Sequence, residues 1–174
     1  EQRTRCGGAL LWRAARIDGE PAMSWVAAVE RELRSGGAEV LLRTTALGLY
    51  DHGLLALCER VEDAADGARE RIWQVRARQI VLAGGAIERP LLFGDNDRPG
   101  VMLADAALEY LRRYAVRAGE QVVVATGNDS AYAVAEALQA AGARCVLVDA
   151  RADGALAATA RTRGIEVRTN ERVA

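Results

Sequence analysis

The amino-acid sequence predicts an α/β fold in which an antiparallel β-meander precedes parallel β-strands. Alternating apolar and polar residues over 54–61 and 71–77 indicate half-exposed antiparallel strands. Short apolar runs closed by glycine or a turn residue, at 80–83 and 121–125, are typical of buried parallel strands. A helical pattern between residues 121–125 and a second apolar run at 145–148 indicates the start of a βαβ unit.

Composition excludes several function classes. The 174 residues suggest about one domain or slightly more, and a net charge of -1 gives no indication of a nucleic-acid partner. All 23 basic residues are arginines, which excludes a Schiff-base or P-loop lysine in this chain. The three cysteines lie far apart without a C-x-x-C motif, so neither a dithiol nor a metal site is indicated. Since no signal peptide and no apolar run of about 20 residues occurs, we expect a cytoplasmic protein without a membrane partner.

The first third of the chain predicts a glycine loop, a helix and a strand. Gly7 and Gly8 form either an ordinary glycine turn or a loop that a cofactor approaches. Apolar residues at helical spacing between 22 and 33 predict a helix, which Gly36 ends, and Trp25 is predicted to pack in the core. Residues 40–42 are predicted to form a strand.

The meander contains His52, the only histidine, in a predicted turn at 51–53. Histidine is the usual general acid–base residue near neutral pH. Its neighbour Asp51 points the other way on an extended chain, and no nucleophile–base group accompanies it. We therefore assign it no catalytic role. Residues 62–70 are polar and predict a solvated loop.

Residues 79–102 contain the stretch around which the chain is organised. The predicted strand at 80–83 ends at Gly84 and Gly85, where missing side chains would let a bulky ligand reach the backbone. Ligands of open α/β sheets bind outside the carboxyl ends of the strands. Pro90 disfavours helix at Arg89 and so ends regular structure, and a turn cluster at 95–100 precedes a helix expected from residue 101 onward.

The second half predicts strand 121–125, helix 130–141, strand 145–148, a short helix within 151–164 and strand 165–167. The turn between strand 121–125 and helix 130–141 is an imperfect G-x-G-x-x-A motif. Thr126 and Asn128 stand at the positions where glycines would allow close approach of a pyrophosphate. A helix N-terminus still favours an anion there. Asp149 lies about 20 residues past the turn, where a carboxylate can accept from a ribose 2′-OH and favour NAD over NADP. Both dinucleotide binding and a fold that has lost or reshaped its site remain open.

Several short motifs together resemble the α subunit of heterotetrameric sarcosine oxidase and related opine, hydroxyproline and amino-acid oxidase or dehydrogenase subunits. They are Ala-Gly-Gly-Ala at 83–86, Glu-Arg-Pro-Leu at 88–91, Asn-Asp-Arg-Pro-Gly-Val-Met at 96–102, Tyr-Asp-His at 50–52 and Asn-Asp-Ser-Ala-Tyr at 128–132. The chain departs from that family at Gly84, where the family usually has Thr. We expect the chain to be an internal part of a longer protein.

The resemblance implies an FAD/NAD(P)-binding Rossmann-like architecture. Residues 1–95 would form a partial first dinucleotide domain without its N-terminal βαβ, residues 96–120 a crossover, and residues 121–174 the start of a second Rossmann domain. The resemblance also implies a complex that oxidatively demethylates sarcosine to glycine with O2. NAD would bind this subunit, FAD would bind the β subunit and FMN would lie at the interface of the α and β subunits. The partners would be β, γ and δ subunits, and the amine substrate would be oxidised at the β subunit.

The resemblance further implies binding residues but no catalytic residue in this chain. Ala46 would pair with an adenine through its backbone. The cofactor-binding candidates are Gly7, Gly8, Ala46, Ala83, Gly84, Gly85, Gly127, Asn128, Asp129, Ser130 and Asp149. Other interpretations are a different enzyme of the wider group, a stand-alone NAD(P)H-dependent flavoprotein reductase, and a structural nucleotide-binding subunit without turnover.

Overall fold

A computed structural model describes residues 1–62 and 67–173. The chain divides into two compact units, Glu1–Ala86 and Ile87–Ala174. Each unit contains helices and a sheet of three strands, antiparallel in the first and parallel in the second. The predicted α/β class is therefore confirmed. Among the described residues, no helix combines the length and the hydropathy that a membrane span requires.

The first unit opens with a short 3-10 helix and a two-stranded ribbon, followed by a helix and the meander. Its elements are a 3-10 helix at Gly8–Leu11, β1 (Arg16–Ile17), β2 (Glu20–Pro21), α1 (Ala22–Ser35), β3 (Thr44–Tyr50), a 3-10 turn at Asp51–Gly53, β4 (Leu54–Arg60) and β5 (Glu70–Arg76). The strands β3, β4 and β5 pair in that order and are antiparallel, as the alternating pattern predicts. The predicted loop at 62–70 lies partly outside the described residues.

Three expectations for the first unit are wrong. Residues 80–83 form no strand, and Val81 is 88% exposed. A strand needs a neighbour for its backbone N–H and C=O groups, and an apolar run alone does not supply one. Residues 40–42 also form no strand, because Arg43 has a φ of 53° and interrupts the extended backbone before β3 begins. Trp25 is 47% exposed, since Ala22 and Val26 occupy the buried face of α1.

The second unit is a three-stranded parallel sheet with its helices. Its elements are α2 (Ala104–Tyr114), β6 (Gln121–Thr126), α3 (Ser130–Ala140), β7 (Arg144–Asp149), α4 (Ala155–Thr162) and β8 (Glu166–Thr169). The strand order is β6-β7-β8, all parallel, as predicted. Leu138 of α3 and Leu147 of β7 are fully buried and mark the core between helix and sheet.

Glu88 gives the Glu-Arg-Pro-Leu motif a structural role. Its Oε2 accepts a hydrogen bond from the backbone N–H of Asp105, 2.8 Å away, in the first turn of α2. A carboxylate at a helix N-terminus satisfies a free amide and complements the helix dipole. Pro99 and Gly100 precede this helix, which begins at Ala104 rather than at residue 101 because the preceding backbone remains extended through Leu103.

Candidate functional site

The candidate site lies at the carboxyl ends of β6 and β7. Thr126 and Asp149 are paired in the parallel register, so both strands end at one edge of the sheet. The turn from β6 into α3 lies at the same edge, where open α/β sheets bind ligands. The sequence thus places the turn residues and Asp149 correctly on these elements.

The turn is held together by its own side chains. Thr126 is only 5% exposed, and its Oγ1 donates to the Asn128 carbonyl oxygen over 2.9 Å and accepts from the Asn128 N–H over 3.0 Å. The Asn128 Oδ1 in turn accepts from the Ser130 N–H over 3.0 Å and from the Ser130 Oγ over 2.7 Å. A Cβ at Gly127 would have no heavy atom within 4 Å. The turn therefore satisfies two backbone amides internally and leaves open space beside Gly127.

The carboxylate of Asp149 is buried and fully engaged. The residue is 1% exposed. Its Oδ1 accepts from the Arg151 backbone N–H over 2.9 Å and from Arg151 Nε over 3.0 Å. Its Oδ2 accepts from Arg151 Nη2 and from the Tyr132 hydroxyl, each over 2.8 Å. Four hydrogen bonds thus satisfy this carboxylate within the protein.

Arg151 connects the end of β7 to the start of α3. Its Nη1 donates to Asp129 Oδ1 over 2.7 Å, while its Nε and Nη2 hold Asp149. A guanidinium presents its donors as a rigid planar fork, so one side chain bridges two carboxylates. We call Asp129, Tyr132, Asp149 and Arg151 the Arg151 cluster.

Sequence reasoning missed Tyr132 and Arg151. Tyr132 is 4% exposed. A buried tyrosine hydroxyl requires a polar partner, and an acidic residue at a buried strand end is a natural one. For Arg151, the available signal in the sequence was its position two residues after Asp149.

The electrostatics of the cluster fix its protonation state. Hydrogen bonds from Arg151 outweigh burial and lower the pKa of Asp149 to about 2. Burial, together with the hydrogen bond to Asp149, raises the pKa of Tyr132 to about 12. The two carboxylates raise the pKa of the Arg151 guanidinium above its ordinary value. At neutral pH Asp149 is therefore a carboxylate, Arg151 a guanidinium and Tyr132 a neutral phenol.

Among the glycine candidates of the first unit, Gly84 and Gly85 lie in an exposed segment, whereas Gly7 lies in a turn with a positive φ. Gly7 has a φ of 127°, and a Cβ there would lie 3.2 Å from Met23 Sδ. Gly85 has a φ of 73°, whereas Gly84 lies outside the left-handed region, and a Cβ at either position would have no heavy atom within 4 Å. The open backbone at 84–85 therefore permits close approach by a ligand, while Gly7 also meets a local conformational need.

The remaining first-unit candidates lie on different elements. Gly8 has a φ of 51° and opens the 3-10 helix. Ala46 lies in β3 opposite Leu57, beside the irregularity between positions 46 and 48, and is exposed. Ala83 lies in the exposed segment that precedes Gly84. The three residues therefore lie on three separate elements of the first unit: a 3-10 helix, a strand and an irregular segment.

The turn that contains His52 is shaped by backbone contacts. His52 has a φ of 60° and Gly53 a φ of 65°. A Cβ at Gly53 would lie 2.3 Å from the Ala77 carbonyl oxygen, and the Ala77 N–H donates to the Gly53 carbonyl over 3.0 Å. These contacts give the Tyr-Asp-His motif a structural explanation that requires no acid–base chemistry from His52.

Comparison with curated proteins confirms the resemblance to sarcosine oxidase α subunits, although no family model matches the chain. The chain is 45% identical over 178 residues to the α subunit of Corynebacterium sp. strain P-1, covering 97% of this chain and 18% of that protein. It is 42% identical over 183 residues to the α subunit of Corynebacterium sp. strain U-96, covering all of this chain and 19% of that one. For the α subunit of Rhizobium meliloti strain 1021 the identity is 45% over 152 residues, covering 83% and 15%. The chain thus spans less than a fifth of the length of these relatives.

Solved structures with the same fold are oxidoreductases. L-proline dehydrogenase from P. horikoshii matches 88% of this chain and 31% of its own, with 28% identity and a TM-score of 0.68. Putidaredoxin reductase, in its covalent complex with putidaredoxin, matches 90% and 38%, with 19% identity and a TM-score of 0.57. The NADH-bound water-forming NADH oxidase from Lactobacillus brevis matches 81% and 33%, with 18% identity and a TM-score of 0.56. These matches confirm the predicted Rossmann-like α/β fold.

Proposed function

We propose that this chain is the nucleotide-binding portion of a sarcosine oxidase α subunit. The observation that carries this proposal is 42–45% identity to three such subunits, extending over 83–100% of the chain. The complete protein would act in a complex that oxidatively demethylates sarcosine to glycine with O2 as the acceptor. The β, γ and δ subunits would complete that complex, and the amine would be oxidised at a partner subunit.

The proposed role of this chain is to hold a nucleotide. The described residues support binding in the first unit at Gly84 and Gly85, where backbone is exposed and added side chains would meet open space. Gly7, Gly8, Ala46 and Ala83 would line the same nucleotide. NAD is the nucleotide that the resemblance assigns to this subunit, and the exposed backbone at these glycines permits its close approach. FAD on the β subunit and FMN at the interface of the α and β subunits would supply the redox chemistry.

The division of labour follows from what this chain offers. It contains no lysine, and its one histidine lies in a turn that backbone contacts explain. No nucleophile–base pair is found among the described side chains of the candidate site, where the two carboxylates are held by Arg151. The chain would therefore position a nucleotide and contribute no group to substrate oxidation.

A second candidate function is a subunit of a related amino-acid oxidase or dehydrogenase complex. The observation in its favour is the structural match to L-proline dehydrogenase, at 28% identity and a TM-score of 0.68. The higher identity to sarcosine oxidase α subunits favours the first candidate. A stand-alone flavoprotein reductase shares the fold but lacks comparable support in sequence identity.

The nucleotide location is tested by valine substitutions in the first unit. We expect Gly85→Val in the full-length complex to abolish bound dinucleotide, because a branched side chain would occupy the space the cofactor needs. Since Gly85 has a φ of 73° and valine is strained there, Gly84→Val is the cleaner variant. Dinucleotide released by denaturation is quantified per α subunit, with circular dichroism as the folding control. Wild-type NAD content in a folded Gly84→Val complex would remove residues 84–85 from the site.

A further inference from the structure

The second nucleotide fold carries polar side chains that the proposed function does not use. They lie where two parts of a dinucleotide would bind, at the end of β7 and at the start of α3. Their contacts decide whether this edge of the sheet accepts a ligand.

The carboxylate that would bind the ribose, at the end of β7, already has hydrogen-bond partners within the protein. In a dinucleotide fold, the acid at the end of the second strand accepts from the ribose 2′-OH. Here Asp149 is 1% exposed, and its two oxygens accept four hydrogen bonds from Arg151 and Tyr132. A ribose would have to displace the Arg151 fork from Asp149, which would leave the guanidinium only its contact with Asp129.

On the phosphate side, two backbone amides of the turn are already engaged. Free amides at a helix N-terminus bind pyrophosphate, yet the Ser130 N–H is held by Asn128 Oδ1 and the Asn128 N–H by Thr126 Oγ1. The Asp129 carboxylate, paired with Arg151, lies at the start of α3, where a negative charge complements the helix dipole. Side chains of the protein thus take the place of the anion.

We propose that the Arg151 cluster closes the second nucleotide fold, so that dinucleotide binds only through the first unit of this chain. Arg151 spans both subsites, since it holds Asp149 on the ribose side and Asp129 on the phosphate side. Thr126 and Asn128 complete the closure where glycines would permit pyrophosphate approach. The number of nucleotides per chain rests on the proposed function, whereas closure of the second fold does not.

A matched pair of glycine substitutions tests the closure in the full-length complex. Gly84 and Gly127 both lie outside the left-handed region, and a Cβ at either would have no heavy atom within 4 Å. Valine is therefore tolerated by the fold at both positions. We expect Gly127→Val to retain wild-type dinucleotide content and thermal stability, while Gly84→Val loses its dinucleotide.

Direct titration of the wild-type complex provides the second measurement. After its dinucleotide content is quantified, calorimetric titration with NAD and separately with NADP should show no further site on the α subunit. Loss of dinucleotide in a folded Gly127→Val complex, or a second site that Gly127→Val abolishes, would overturn the closure. If both variants keep wild-type content and no further site appears, closure stands and the nucleotide location proposed for the first unit fails.

Discussion

Replacing Asp149 with alanine should destabilise the second unit by about 3 kcal/mol. The substitution leaves the buried Tyr132 hydroxyl without its acceptor and removes the carboxylate that holds the Arg151 fork. A buried polar group that loses its partner costs about 1–3 kcal/mol, and breaking a buried ion pair costs about 3–5 kcal/mol. We place the effect at the lower end of the second range because the Arg151 side chain is 41% exposed and water replaces part of the lost interaction. Hydrogen exchange of the β6 and β7 amides in the full-length protein measures this loss.

The matched control is Glu166→Ala. Glu166 pairs with Arg168 in the same unit, but both side chains are more than half exposed. Exposed pairs contribute about 0–1 kcal/mol, so exchange protection of β6 and β7 should change little. Equal losses for the two variants would show that the Arg151 cluster does not stabilise this edge of the sheet.

The same cluster gives the second unit a defined acid sensitivity. Because the pKa of Asp149 falls from 3.8 to about 2 on folding, the unfolded chain binds more protons between these values. Its stabilising contribution is fully present above pH 3.8 and is lost as the pH falls through about 2. In Asp149→Ala this contribution to the pH dependence should be absent.

Replacing Gly53 with alanine should destabilise the first unit by roughly 2–5 kcal/mol. A Cβ at this position would lie 2.3 Å from the Ala77 carbonyl oxygen, so the backbone of the meander must shift. Overpacking of this kind typically costs about 1–3 kcal/mol, and a left-handed conformation adds about 1–2 kcal/mol for a residue with a side chain. Exchange protection of the β4 and β5 amides is the measurement.

The substitution Gly37→Ala separates the cost of the left-handed conformation from the cost of the steric contact with Ala77. Gly37 has a φ of 81°, but a Cβ there would have no heavy atom within 4 Å. Gly37→Ala should therefore lose only the free energy of adopting the left-handed conformation, on the order of 1–2 kcal/mol. Hydrogen exchange of the α1 amides measures this loss. If Gly53→Ala cost no more than Gly37→Ala, the contact with Ala77 would not constrain the turn.

The periodic parts of the fold were predictable because the pattern of apolar and polar residues reflects which side chains are buried. The alternation in 54–61 and 71–77 predicts β4 and β5, and the apolar runs at 121–125 and 145–148 predict β6 and β7. Residues 80–83 show the limit of this reasoning. Hydrophobic composition indicates what a strand would bury, whereas strand formation also requires a hydrogen-bonding neighbour. Among the described residues, this apolar run has no such neighbour.

The candidate site was predictable in position but not in detail. The spacing between the turn and Asp149 correctly places both at one edge of the sheet. The partners of Asp149 depend on side-chain directions, which spacing does not determine. Tyr132 reaches it from α3 and Arg151 from beyond β7, and both contacts require the folded geometry.

The most direct test of the proposed function is sarcosine-dependent oxygen consumption by the complete α subunit, co-purified with the proposed β, γ and δ subunits. We predict oxygen uptake with sarcosine, formation of glycine, and faster turnover of sarcosine than of L-proline, hydroxyproline or an opine at equal concentration. Turnover of one of these other substrates by an assembled, flavin-loaded complex that does not oxidise sarcosine would contradict the assignment.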